Sequence, residues 1–461
     1  MGIKPALAHL PSNLKILCII LSVTVLSACS QSDNATTATS GSLLAKIHKR
    51  GRLIVLTTNL PTSYYYNRDN QLTGPEYDMS QAFARFLKVK VEYKLYDSTR
   101  ALLQALKEKK GDIAANGLTV TTERLAEFDY GPVYQHIQEY LVCRRQHKPI
   151  NRKADLKGLK VMVAADTSYI ETLKAYPDIN WVSNTENNTS YLLQQVAAKK
   201  INCTISDSTL FDIERRYHIE LQNKYTLAKG SKLAWMLNKH HEKLKASIDT
   251  WFKTYKKTGK LAQLMEKYYG YVQIFDYVDT HKFLSRIKTR LPQYKAFFIQ
   301  AAAKNNIRPS LLAAQSYQES HWNRKAKSPT GVRGIMMLTQ PVAKSLGVSN
   351  RLNARQNIFA GAKFFAKMKK MVAHAKQPDR SWLALAAYNI GRGHFRDAQS
   401  LARKRHKNPN IWVEMKTVLP LLARKKYYKT LRYGYARGSE PVRYVARIRG
   451  YDDLLQNYFP R

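Results

Sequence analysis

Gln318-Glu319-Ser320-His321-Trp322, followed by Ser328-Pro329-Thr330-Gly331-Val332-Arg333-Gly334-Ile335-Met336-Met337-Leu338, sets one carboxylate among small, aromatic and apolar residues. Upstream, Pro309 to Gln318 reads as a helix, because proline suits a first turn and the apolar positions recur at helical spacing. Glu319 then falls near the C-terminus of that helix, where the carbonyl ends carry partial negative charge. That charge, and burial beside Trp322, Met336 and Met337, both favour the protonated acid, a group able to donate a proton near neutral pH. No Asp or Glu occurs between Glu319 and Asp379, so this carboxyl group has no partner near it in sequence. A solvated glutamate at a helix end is the competing reading.

About fifty residues on, Ala386-Ala387-Tyr388-Asn389-Ile390-Gly391 closes another helical run, and Tyr427, Tyr428, Tyr433, Tyr435, Glu440 and Tyr444 follow. Over residues 291 to 450 the set resembles the Slt-type lytic transglycosylases, lysozyme-fold enzymes of the cell wall. Their pattern runs Glu-Ser, Ser-x-x-Gly-x-x-Gly-Leu-Met-Gln, then Ala-Tyr-Asn-x-Gly. The resemblance implies that Glu319 is the single catalytic acid/base and that Ser328 is a polar group near the cleaved bond. Met336 would belong to the saccharide groove, with Tyr388 and Asn389 as its opposite wall. Met337 departs from the pattern, standing where the family has Gln. Glu440 and Tyr444, in Glu-Pro-Val-Arg-Tyr-Val, look like the last block. For Tyr388 and Asn389, ordinary core and helix-end packing is the alternative.

Most glycosidases place two carboxylates roughly 5 to 10 Å apart. Downstream, Asp379, Asp397, Glu414 and Glu440 are the candidates that could fold back to supply a second one. The resemblance implies a different solution: the 6-hydroxyl of the muramoyl residue attacks its own anomeric carbon and gives a 1,6-anhydro product. No cofactor is expected. No Cys, His or carboxylate cluster has metal spacing, and His240-His241 reads as part of a surface helix.

Lys4 and Lys15 precede the apolar run Ile16 to Val25, which is too short to span a bilayer as a mature helix and ends in Leu26-Ser27-Ala28-Cys29. This resembles a bacterial lipoprotein signal. It implies a signal peptide over residues 1–29, lipidation of Cys29, and a flexible tether over 30–42. Ser30 and Gln31 carry no acidic retention signal, so the family rule places the chain at the periplasmic face of the outer membrane. An uncleaved anchor helix is the alternative. Cys143 and Cys203 remain in the folded chain, either paired or as two buried thiols.

Residues 43–270 alternate strands and helices, which points to an α/β domain with mostly parallel sheets. Leu53 to Thr58, Val91 to Leu95 and Asp112 to Ala115 read as strands, with helices at Tyr77 to Leu87 and Leu102 to Lys109. The pattern recurs through Leu159 to Ala164 and Ile201 to Ser206, which implies two lobes with a cleft between them. Gly111-Asp112-Ile113, Leu118 to Arg124, Phe128 to Tyr134 and Leu156 to Val161 resemble blocks of periplasmic solute-binding proteins of the amino-acid-binding type. The resemblance makes Arg124 the clamp for a ligand carboxylate, a task that suits a planar guanidinium. Asp207 would take the ligand ammonium, Thr119 would supply a hydroxyl, and Tyr64 to Tyr66 an aromatic wall. An Arg124 paired with Glu123 or Asp129 is the structural alternative. A free amino acid or a cell-wall stem peptide both fit such a cleft. The expected architecture is therefore a two-lobed binding-protein-like domain over 43–270 and a mainly α, lysozyme-like domain over 271–461.

The formal charge is +43, and residues 291–461 hold 33 Lys and Arg against 7 Asp and Glu. Such a balance raises the question of nucleic acid. Yet the aromatics lie in the blocks above and no nucleic-acid motif is present, so no nucleic-acid partner is expected; glycan strands with carboxylate-bearing stems are a substrate that a basic groove attracts. Three functions fit: a lytic transglycosylase with a regulatory binding domain, a catalytically weak or silent wall-binding sensor, and a cationic polyanion binder. A lysozyme-like hydrolase is the nearest rival among enzymes.

Overall fold

The computed structural model describes residues 41–274 and 277–460. The signal segment, Cys29 and most of the expected tether lie outside them. Among the described residues, no helix is long and apolar enough to cross a membrane.

One nine-stranded sheet runs through the first half of the chain. In the first lobe Arg52–Thr58 lies parallel to Lys90–Tyr96 and Ile113–Thr119; in the second, Lys160–Ala164 lies parallel to Asn180–Asn184 and Cys203–Asp207. Leu53, Val55 and Leu56 are fully buried, as a strand covered on both faces requires. The expected helices form at Pro75–Leu87 and Thr99–Lys107. The parallel expectation holds inside each lobe but not between them. Gln135–Arg144 and the 18-residue strand Leu221–Asn238 run antiparallel and carry the sheet from one lobe to the other. Three register shifts interrupt that pairing, and Gly230, exposed at φ +76°, breaks the alternation by which a strand is recognised.

Cys143 and Cys203 face each other on adjacent antiparallel strands and form a disulfide. Both sulfurs, which lie near His147, are thereby occupied. His240 and His241 precede the helix Glu242–Lys257 and do not sit within it; His240 adopts φ +66°.

The second half is helical. Phe283 and Ile287 of helix Tyr277–Thr289 join Phe298, Trp322, Phe365, Phe395 and Trp412 in a single core. The helix Pro309–Ser320 lies inside it, with every side chain from Ser310 to Tyr317 buried. His321 and Trp322 then turn the chain through two left-handed residues, at φ +53° and +56°, and Trp322 anchors the turn by donating from Nε1 to Ala313 O at 2.9 Å.

The C-terminal helix Ser439–Leu455 joins the halves. Buried Arg449 donates to Glu266 O at 2.7 Å, pairs with the Glu266 carboxylate, and lies between the rings of Tyr271 and Trp382 at 4.2 and 4.8 Å. Lys416 also reaches Glu266. Asp453 pairs with Arg216 of the second lobe at 2.9 Å.

Candidate active site

Glu319 occupies the last turn of Pro309–Ser320, partly open to solvent. Tyr444, from the C-terminal helix, donates to Glu319 Oε1 at 2.5 Å, and Gln315 Nε2 donates to the Tyr444 oxygen at 3.3 Å. Burial raises the Glu319 pKa from 4.5 to about 7, against the opposing pull of the Tyr444 hydrogen bond. The downstream carboxylates are engaged elsewhere: Asp452 pairs with Arg308 and Asp453 with Arg216. Asp379 accepts from Trp412 N, Asp397 from Tyr433 N and Glu414 from Asn408 N, and Glu440 stands exposed, 3.5 Å from Arg437. Glu319 is thus an isolated acid whose proton affinity is set by burial and one phenol.

The loop 326–338 is pinned against this helix. Ser316 and Ser320 both donate to Ile335 O, at 3.0 and 2.8 Å. Asn357, fully buried, accepts from Met336 N at 2.7 Å and donates to Arg351 O at 2.9 Å and Arg333 O at 3.3 Å. Gly334 has φ +87°, and a Cβ there would stand 2.1 Å from Arg351 O. A side chain cannot be fitted without moving backbone. Tyr388 donates to Met336 O at 3.1 Å; burial and then the Glu319 charge push its phenol well up, which places it within electrostatic reach of the acid.

Ser328 closes the loop's outer turn, sharing a 2.9 Å hydrogen bond with Thr330 and accepting from Val332 N at 3.2 Å. Met336 is buried; Met337 is half-buried at φ +47°; Asn389 is exposed at the end of Asp379–Ile390. The structure therefore gathers Glu319, Tyr388, Tyr444 and Met336, while Glu440 is exposed and paired with Arg437. Asn357 and Gln315 were missed by sequence reasoning, being single amides inside helical runs with no local signal.

Between the two lobes, a cavity of about 80 Å³ is lined by Glu76, Thr119, Arg124, Ser168 and Asp207, among others. Arg124 donates to Thr119 O at 3.0 Å and, across the cleft, to Asp166 O at 2.5 Å. Burial lowers its pKa. Asp207 Oδ1 accepts from Thr209 N and Leu210 N at 2.8 and 2.9 Å, and burial raises its pKa. Thr119 Oγ1 accepts from Ser168 Oγ at 3.2 Å. Tyr64 is not in this lining; it packs against Tyr93 and Tyr77, with ring centroids at 4.9 and 5.8 Å. Buried Glu76, unforeseen in the sequence, accepts from Trp235 Nε1 at 2.7 Å, Gly117 N at 2.9 Å and the Tyr134 hydroxyl.

Two family models match the chain: bacterial extracellular solute-binding proteins, family 3, over residues 52–271, and the transglycosylase SLT domain over 296–411. Membrane-bound lytic murein transglycosylase F 2 of Alkalilimnicola ehrlichii is 38% identical over 449 residues, 96% of this chain and 98% of that protein. The chain belongs to the membrane-bound lytic murein transglycosylase F family. A second member, from Aeromonas hydrophila, is 41% identical over 422 residues, 90% of this chain and 84% of that one. As a member of that family the protein is an enzyme acting on peptidoglycan, built from a solute-binding-type α/β domain and a helical SLT domain. Among solved structures, an amino-acid transporter binding protein from Streptococcus pneumoniae, bound to L-arginine, is 20% identical with a TM-score of 0.46, covering 50% of this chain and 100% of that one. The SLT match includes Glu319, Ser328, Met336, Tyr388 and Asn389 but ends before Tyr444.

Proposed function

We propose that the enzyme cleaves the β-1,4 bond between N-acetylmuramic acid and N-acetylglucosamine without water, using Glu319 first as acid and then as base. Protonated Glu319 donates to the glycosidic oxygen as its bond to the muramoyl C1 breaks. The same sugar's 6-hydroxyl oxygen bonds to C1 and returns its proton to Glu319, leaving a 1,6-anhydromuramoyl end. The observation that carries this reading is the isolation of Glu319: a pKa near 7 suits both transfers, and no second carboxylate contributes to it. Tyr444 steadies the carboxylate between the two steps; Tyr388, Ser328 and Asn389 form the saccharide groove, and Met336, fully buried against Gly361, supports it from behind rather than touching the sugar. Digestion of sacculi in H₂¹⁸O tests the chemistry. Unlabelled anhydro ends are expected; ¹⁸O at a reducing muramic acid would mean hydrolysis, and no products would favour the silent sensor that Met337 keeps in view.

The cleft is the regulatory site. Arg124, now satisfied by two carbonyls, exchanges them for the carboxylate of an amino acid or stem peptide, while Asp207 and Thr119 take its amino end. The C-terminal helix supplies the route to the acid, because Tyr444 touches Glu319 and Arg449, further along the same helix, grips Glu266 of the binding domain. Arg124→Met should abolish calorimetric binding of stem peptide; retained binding would remove Arg124 from the site. Lipidation of Cys29 places the enzyme at the periplasmic face of the outer membrane, and Cys29→Ser should release it to the soluble fraction.

A further inference from the structure

Where the second lobe meets helix Tyr277–Thr289, a cavity of about 390 Å³ opens. Neither the cleft between the lobes nor the Glu319 groove uses it. Arg145, Arg215 and Arg216 line it, and no Asp or Glu is among its described lining residues. Arg145, just past the strand Gln135–Arg144, lays its guanidinium over the Tyr277 ring, 4.2 Å from the centroid. Arg215 and Arg216 follow the helix Ser208–Glu214, each with a carboxylate behind it: Asp212 at 3.1 Å and Asp453 at 2.9 Å.

Those pairs leave donors over. Nε of Arg145 is buried without a hydrogen-bond partner, as are Nε and Nη1 of Arg216, whose side chain is 5% exposed. Asn223, also in the lining, buries an unpartnered Oδ1. A desolvated, unmet polar group is destabilising, the more so when charged, so four such atoms on residues that line one cavity mark a place completed by something else. Positive charge already crowds the region: burial, and then the charge of Arg145, lower the pKa of Lys224. A planar guanidinium held over an aromatic ring is well suited to bidentate capture of an oxyanion, and the volume falls in the range of small-molecule sites, roughly 300–1,000 Å³.

We propose that this cavity is a second ligand site, separate from the cleft, taking a small oxyanion with hydroxyl or amide donors, a carboxylate or a phosphate ester, held by Arg145 and Arg216 with its donor on Asn223. Occupancy would tie the second lobe to the helix Tyr277–Thr289, whose Arg286 donates to the Tyr317 hydroxyl on the Glu319 helix at 3.1 Å.

Glycerate and glycerol 3-phosphate, which share hydroxyls and differ in the anion, are titrated into the full chain by calorimetry. Arg145→Met, Asn223→Asp and the surface control Lys404→Met are run beside wild type. Saturable binding of either probe is expected, weakened at least tenfold by Arg145→Met and unchanged by Lys404→Met; the probe that saturates identifies the anion class. Should Arg145→Met melt early, Asn223→Asp decides, since it keeps the volume and sets a carboxylate against the anion. Failure of both probes to saturate, or wild-type affinity in the folded variants, overturns the proposal.

Discussion

Replacing Tyr444 with Phe removes the one hydrogen bond that opposes the burial of Glu319. A hydrogen bond to a charged group is worth about 1.5–3 kcal/mol, and about 1.4 kcal/mol corresponds to one pKa unit. Its loss therefore raises Glu319 by about 1 to 2 units from about 7. The first step needs the protonated acid, so wild-type kcat/KM falls as pH rises through about 7, and in the variant the fall moves to about 8–9. The plateau at low pH drops severalfold, because a weaker acid protonates the leaving oxygen more slowly. Release of soluble muropeptides from sacculi across the pH range is the assay. An alkaline limb that stays in place, or moves down, would refute the assignment of Tyr444 as the partner that holds the carboxylate ionised.

The raised pKa of Glu319 also predicts a stability change. Its folded value lies above its unfolded one, so the penalty is absent below about pH 4.5 and complete above about 7, at most about 3 kcal/mol for a side chain partly open to water. Glu319→Gln should melt higher than wild type at pH 8 and equally at pH 4.5; equal melting at both would show an unperturbed carboxyl. Gly334→Ala should cost about 3 kcal/mol or more in urea unfolding, through the 2.1 Å clash with Arg351 O, while Gly331→Ala, at φ +82° in open space, costs about 1 kcal/mol; comparable losses would contradict the packing of the loop. Arg449→Met leaves the buried Glu266 carboxylate without its main partner, so a loss of about 3–5 kcal/mol is expected, together with lower turnover through misplaced Tyr444. Unchanged turnover in the folded variant would disconnect the junction from the acid. Reducing Cys143–Cys203, which are 60 residues apart, should lower stability by up to about 4 kcal/mol, read as a shifted urea midpoint; an unmoved midpoint would mean the bridge constrains little.

Local pattern carried the reading where local physics decides the structure. Proline at the first turn and an apolar run announced the helix that presents Glu319, and the match to the Ser-x-x-Gly-x-x-Gly block of the Slt-type pattern marked the segment that holds Ile335 and Met336. The alternation of strands and helices gave the two lobes. Contacts between distant residues were not legible. Asn357 pins the loop from a helix of unremarkable composition, and Glu76 lies buried under Trp235, 159 residues away. The strand Leu221–Asn238 hid behind its bulges and exposed centre. Tyr64 belonged to a plausible aromatic triplet, yet its ring packs in a cluster with Tyr77 and Tyr93 and does not line the cleft. The junction, in which Arg449 pairs with Glu266 and Asp453 with Arg216, has no sequence signature, because the two members of each pair come from different elements and only the fold brings them together.

Mass spectrometry of the soluble products from peptidoglycan sacculi, with wild type and Glu319→Gln side by side, tests the central claim most directly. Anhydro-muropeptides from the wild type, and none from the variant, are the predicted result; reducing-end products, or anhydro products that persist in Glu319→Gln, would contradict a single-acid transglycosylase centred on Glu319.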